Sequence, residues 1–253
     1  HGVLLVINLK SPREIERMRI PCKIVAEVLL MLKEKIKPGV TSCELEEFAL
    51  AALKKRKAIP AFKGYAGFPF ALCCSPNNCI IHGMPNKTPL IKGDILSIDF
   101  GVLYDEYYGD AAITVPVGEV SSDALELISA TEKSLYMGIE QALAGARLFN
   151  ISYAVQQYVE SLGFSVVRDF VGHGIGKKLH EEPQVPNYGM AGRGVQLKSG
   201  MVLAIEPMVN KGSYSVRVLD DGWTAVTVDG SLSAHFEHTV AITENGPDIL
   251  TRL

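Results

Sequence analysis

The 253-residue chain has few cysteines and none suitably spaced to pair. They stand at 22, 43, 73, 74 and 79, an odd set without a CxxC pair, which argues against a disulfide scaffold and against a structural zinc site. Long hydrophobic runs are missing, so no segment reads as a bilayer span, and no charged leader with a cleavage site opens the sequence. Neither sign of charge dominates. With 25 Lys and Arg against 28 Asp and Glu, the net charge of −3 gives no electrostatic case for nucleic acid or a membrane as main partner. The basic clusters "KEKIK" (33–37) and "KKRK" (54–57) fall in helical stretches and read as solvated faces rather than ribosome or RNA contacts. Familiar catalytic signatures are also absent: "HEEPQ" at 180–184 lacks the second histidine of HExxH, and no GxSxG elbow or P-loop occurs. These absences predict a cytoplasmic protein in a reducing compartment, acting on a small or neutral substrate. Its length suits one domain over 1–253, and residues 1–8, which open without methionine, read as an extension.

Local signals for helices are strong. Ser11-Pro12-Arg13-Glu14 combines an N-cap, a proline at the first helical position and a capping-box glutamate, predicting a helix from about 12 to 36. Thr41 with Glu44 repeats the signature. Ser121 or Ser122 opens a third helix expected to end at Gly145, and Asn150 is the expected cap of a fourth that ends near Gly163. Runs such as "ILSIDFGVLY", "YYGDAAITVPVG", "MVLAIEPMV" and "FEHTVAIT" read as strands, giving an α+β pattern.

"SIDFGVLYDEYYGD" (97–110) sets two aspartates in an apolar strand context. If the chain reverses about Asp105-Glu106, positions summing to 211 face each other, and Asp99 and Asp110 become diagonal neighbours on one face, roughly 7–8 Å apart. A three-residue turn would send them to opposite faces. Two carboxylates on a half-buried face need a shared proton, a basic partner or a cation. An internal echo adds to this: "GDILSID" (93–99) matches "GMVLAIE" (200–206), an acid closing each, with a helix pair before each copy. Two similar halves follow, whose sheets could join into one curved sheet with helices outside and bring Asp99 and Glu206 together.

Four acids thus lie in strand contexts: Asp99, Asp110, Glu206 and Glu237. Any one alone reads as a hydrogen-bonded structural carboxylate; four together point to metal. His173, between glycines that would let a ligand approach the backbone, offers a nitrogen. Four carboxylates carry −4, so one divalent ion leaves −2 and two leave zero, favouring two cations. A carboxylate-rich set with one nitrogen suits Mn, Fe, Co or Zn. A thiol nucleophile at Cys73-Cys74 lacks any context that would lower its pKa.

"IHGMP", "GDILSIDFGVLYDEYYGDAAIT", "GHGIGKKLHEEPQVPNYG", "SGMVLAIEPM" and "DGWTAVTVDGSLSAHFEHT" resemble, in order and spacing, the type I methionine aminopeptidases of the pita-bread fold, from about residue 9 onward. The resemblance implies a fold of two pseudo-symmetric halves and a dinuclear site. In it Asp99 chelates one metal, Asp110 and Glu237 bridge, and His173 and Glu206 complete the second metal's shell, with Glu206 also the proton shuttle. It further implies that His82 and His180 hydrogen-bond the scissile amide and carbonyl. Tyr65, Phe68, Cys73 and Trp223 would receive the methionine side chain. His235 stands where the family usually has glutamine, and Leu179 where an aromatic is common. The chain lacks the amino-terminal zinc-binding extension of the eukaryotic cytosolic form and the insertion of type II. The implied activity is removal of the initiator methionine from nascent chains at the ribosome, preferentially before a small second residue, by a monomer whose two cations lower the pKa of a bound water. A proline-specific peptidase and a non-catalytic binding relative are the rivals.

Overall fold

The computed structural model describes residues 6–252, so His1 and the first half of the expected extension lie outside the described residues. Ile7 packs against the core cluster that contains Leu135 and Leu203, and Lys10 donates to the carbonyl of Asn8, so residues 7 and 8 belong to the folded body rather than to a free extension.

Helix α1 spans Pro12–Lys35 and α2 spans Ser42–Arg56, each opened by the expected capping box: Ser11 and Thr41 accept from the backbone of Glu14 and Glu44, whose carboxylates accept in return at 2.9 and 2.8 Å. Helix α3 runs Ser122–Ile139, stopping short of Gly145. Beyond it the chain folds into tight turns because the backbone of 145–148 is spent on pairing with Val195 and Leu197. Helix α4 covers Phe149–Ser161. Asn150 lies inside it and does not cap it; its side-chain oxygen accepts the N–H of Gly192 at 2.7 Å, tying a distant loop to the helix. No helix among the described residues is long and apolar enough to cross a membrane.

The central feature is the hairpin of Ile95–Tyr104 with Tyr107–Pro116, paired so that facing positions sum to 211 from Ile95–Pro116 to Tyr104–Tyr107. Asp105 and Glu106 form the two-residue turn with φ of 47° and 70°, the left-handed conformation that matches strand twist. Alternation sends Leu96, Ile98 and Phe100 into a core shared with Val25, Leu29 and Leu32 of α1 and Leu45 of α2; Asp99 and Asp110 consequently point away from the helices. Leu72–Pro76 pairs along the outer edge of the first hairpin strand, with Cys73 opposite Asp99.

A second sheet orders Gly246–Ile249, His238–Thr243, Val202–Ile205, Gly172–Gly174 and Glu181–Val185. The two sheets meet where Ala112 and Glu237 exchange backbone hydrogen bonds of 3.3 and 2.9 Å. Across that seam the order is symmetric: the echoed strands Ile95–Tyr104 and Val202–Ile205 each stand one strand out from the centre. Leu203 and Ile205 pack under Leu135 and Ile139 of α3 and Ile151 of α4, repeating the helix layer of the first half. This is the curved, doubled α+β arrangement of the pita-bread fold.

Candidate metal centre and substrate pocket

Each acid reaches the centre by a different local device. Asp99 and Asp110 share a face through hairpin register, and Thr239 clamps the backbone of Asp110, accepting its N–H at 3.1 Å and donating to its carbonyl at 2.7 Å. Glu237 sits at the seam between the sheets. Glu206 occupies the break between Val202–Ile205 and Met208–Asn210, where Pro207 has no N–H to continue a ladder. His173 lies on the short strand Gly172–Gly174. Its Nδ1–H donates to the Gly174 carbonyl at 2.9 Å, leaving Nε2 free and 3.4 Å from Glu206 Oε1. The glycines beside His173 answer to backbone packing rather than ligand approach: a Cβ on Gly172 or Gly174 would sit 2.3 Å from the carbonyl oxygen of Ala204 or Glu182.

Asp110, His173 and Glu237 are buried, Asp99 and Glu206 nearly so, and all five border a cavity of about 120 Å³. Among the described residues none of the four carboxylates pairs with Lys or Arg, and Asp99 Oδ1, Asp110 Oδ1 and Glu237 Oε1 are buried without a hydrogen-bond partner. Burial pushes Asp99 up to about 7 and Glu206 up to about 8; Asp110 and Glu237 are also raised well above the usual carboxyl range, first by burial and then by the neighbouring carboxylates. Burial also holds His173 down at about 3, a neutral imidazole suited to ligation. Donor atoms of Asp110, His173 and Glu237 lie within 4.8 Å of one another, and those of Glu206, His235 and Glu237 do likewise, with Glu237 common to both groups. Orphaned, crowded oxygens and a free imidazole nitrogen fit divalent cations. Among the described residues no Lys or Arg, the second remedy for the crowded acids, pairs with them.

The cavity wall is apolar. Phe68 and Trp223 meet edge to face at 5.1 Å, Cys73 lies beside them, and Tyr65 stands half-exposed at the mouth. Leu179 is buried in the same wall, in the place where an aromatic was expected. Phe62, which sequence reasoning missed, completes it; the aromatic spacing of "AFKGYAGFPF" is the signal that could have found it. His82 borders the cavity in a left-handed conformation, φ 58°, its ring edge-on to Trp223 at 6.1 Å, and burial lowers its pKa to about 4. His180 lies exposed at the mouth, its Nδ1 sharing a 2.6 Å hydrogen bond with the Tyr65 hydroxyl and its ring 4.3 Å from that of His173. Burial raises the Cys73 and Cys74 thiols well above their usual value, which removes them as nucleophiles.

A buried carboxylate–imidazole cluster without basic partners, set beneath an apolar pocket in a pita-bread fold, defines a metal-dependent hydrolase. The chain belongs to metallopeptidase family M24, whose sequence model matches residues 16–244. A methionine aminopeptidase of Clostridium perfringens is 57% identical over 97% of this chain and 99% of its own length. Methionine aminopeptidase 1 of Bacillus subtilis is 54% identical over 98% and 100%. The crystal structure of a methionine aminopeptidase from Thermotoga maritima superposes with a TM-score of 0.96 at 49% identity, covering 98% of this chain and all of that one. A prolidase from Pyrococcus furiosus, 24% identical with a TM-score of 0.78, shares the fold alone; the match covers 97% of this chain and 65% of that one.

Proposed function

We propose that this chain is a dinuclear metallo-aminopeptidase that removes the initiator methionine from nascent polypeptides, preferentially when the second residue is small. The observation that carries the reading is the juxtaposition of orphaned carboxylates with a thioether-sized apolar pocket. Asp99, Asp110, His173, Glu206 and Glu237 would hold two divalent cations, drawn from Co, Mn, Fe or Zn, which would supply Lewis acidity toward the attacking water and the scissile carbonyl.

The protein's own groups do the rest. Phe68, Cys73, Trp223 and Tyr65 seat the methionine side chain, where aromatic edges and sulfur suit a thioether. This contact fixes the first peptide bond over the acids. His82, neutral and held edge-on to Trp223, hydrogen-bonds the scissile amide. His180, oriented by Tyr65, donates to the carbonyl oxygen as charge develops on it. Glu206 takes a proton from the attacking water at a carboxylate oxygen and returns it to the leaving amine. The same reading makes 1–253 one catalytic unit, a monomer in the cytoplasm that meets its substrate as it leaves the ribosome. A non-catalytic binding role would leave the set of orphaned buried oxygens without a use.

A Met-Ala-Ser peptide should release methionine with Mn²⁺ or Co²⁺ and not after chelation. No release with any of the four metals, or preferential cleavage of Xaa-Pro peptides, would overturn the assignment.

A further inference from the structure

A second imidazole reaches the acids of the centre from the opposite side to His173. His235 ends the strand Ser233–His235, opposite Met208 on the neighbouring strand. Thr114 fixes its backbone from both sides: the His235 N–H donates to Thr114 Oγ1 at 2.9 Å, and Thr114 Oγ1 donates to the His235 carbonyl at 2.8 Å. The ring is thereby aimed at the acids. It is 1% exposed, and Nε2 is buried without a hydrogen-bond partner, 3.5 Å from Glu206 Oε2. Glu206 therefore lies between two imidazoles, with Oε1 toward His173 and Oε2 toward His235.

We propose that His235 is a further metal-ligating residue, supplying a second imidazole through Nε2 to the cation that Glu206 and Glu237 share. The inference rests on the metallopeptidase reading and deepens it. Two observations carry it: the donor atoms of Glu206, His235 and Glu237 lie within 4.8 Å of one another, and a buried polar nitrogen is costly unless it has a partner. The glutamine expected here offers only a weak amide oxygen. Imidazole favours Fe²⁺, Co²⁺ and Zn²⁺ over Mn²⁺, so His235 should bias the centre toward the first three. A positioning role alone, with His235 donating to Glu206, is the competing account, and at 3.5 Å that bond is not made.

The test uses the whole protein loaded with two equivalents of Co²⁺ and read by proton NMR for contact-shifted, exchangeable imidazole N–H signals. Two signals should appear, from His173 and His235. His235→Gln should remove one of them and weaken one Co²⁺ by roughly 10–100-fold in chelator competition, with a smaller loss for Mn²⁺. His173→Gln, measured with excess Co²⁺, should remove the other signal and leave that of His235. A single signal in the loaded wild type, or no change of spectrum and affinity in His235→Gln, would overturn the ligand role while leaving the metallopeptidase reading in place. Failure of the wild type to bind Co²⁺ at all would overturn both.

Discussion

His173 and His180 lie seven residues apart in one glycine-rich segment, and their rings are 4.3 Å apart, yet their surroundings divide the work. His173 is buried with Nδ1 committed to a carbonyl, while His180 stands exposed and bonded to Tyr65. His173→Ala should weaken one metal and be partly rescued by excess cation. His180→Ala should keep both metals and lower kcat by roughly 10²–10³, with no rescue. Calorimetric titration beside steady-state rates separates these; a lost metal site in His180→Ala would reverse the assignment. Asp99→Asn should lose tight binding and nearly all turnover while circular dichroism stays native, and full occupancy at wild-type rates would remove Asp99 from the centre.

At the scale of elements, the pocket depends on how helices grip strands. Glu46 of α2 is buried and accepts the backbone N–H groups of Ala71 and Leu72 at 2.8 Å each, anchoring the lead into the strand that carries Cys73. Glu46→Ala should cost about 1–3 kcal/mol for each orphaned N–H. It should also raise KM for methionyl peptides more than it lowers kcat, because the displaced strand forms the pocket wall. Urea unfolding and peptide kinetics check both, and wild-type stability would show the bonds replaced by water. Capping boxes at Ser11 and Thr41 could be read from sequence because each closes within three residues. Asn150 could not: its partner Gly192 lies 42 residues away.

The whole molecule should show the tension of its crowded acids when metal is removed. In the folded state Asp99 titrates at about 7 and Glu206 at about 8, each well above the unfolded carboxyl, so above pH 6.5 the folded protein holds protons that the unfolded chain has lost. Metal-free stability should therefore fall as pH rises from about 6.5 to 8. The buried histidines act in the other direction: His82 and His238 are lowered to about 4 and His173 to about 3, so between about pH 4 and 6.5 the unfolded state takes up protons at these rings while the folded state keeps those of the acids, and the two contributions oppose each other. Added Mn²⁺ or Co²⁺ should flatten this alkaline slope by replacing those protons. Thermal melts across pH with and without cation measure this. A metal-free protein that gained stability between pH 7 and 8 would contradict it.

By itself the sequence determined the alternation of the hairpin strands, and with it a condition: a two-residue turn puts Asp99 and Asp110 on one face and a three-residue turn does not; the structure has the two-residue turn. The sequence also carried the echo of "GDILSID" and "GMVLAIE", since equal patterns of burial produce equal strands. What only the tertiary structure decided is where those strands meet. The Ala112–Glu237 seam, the Thr239 clamp on Asp110 and the approach of His235 to Glu206 join positions more than 25 residues apart, through backbone pairings that no local propensity encodes. The glycines beside His173 show the same division: their presence is legible in sequence, but the neighbouring carbonyls that exclude a side chain there exist only once the strands have packed.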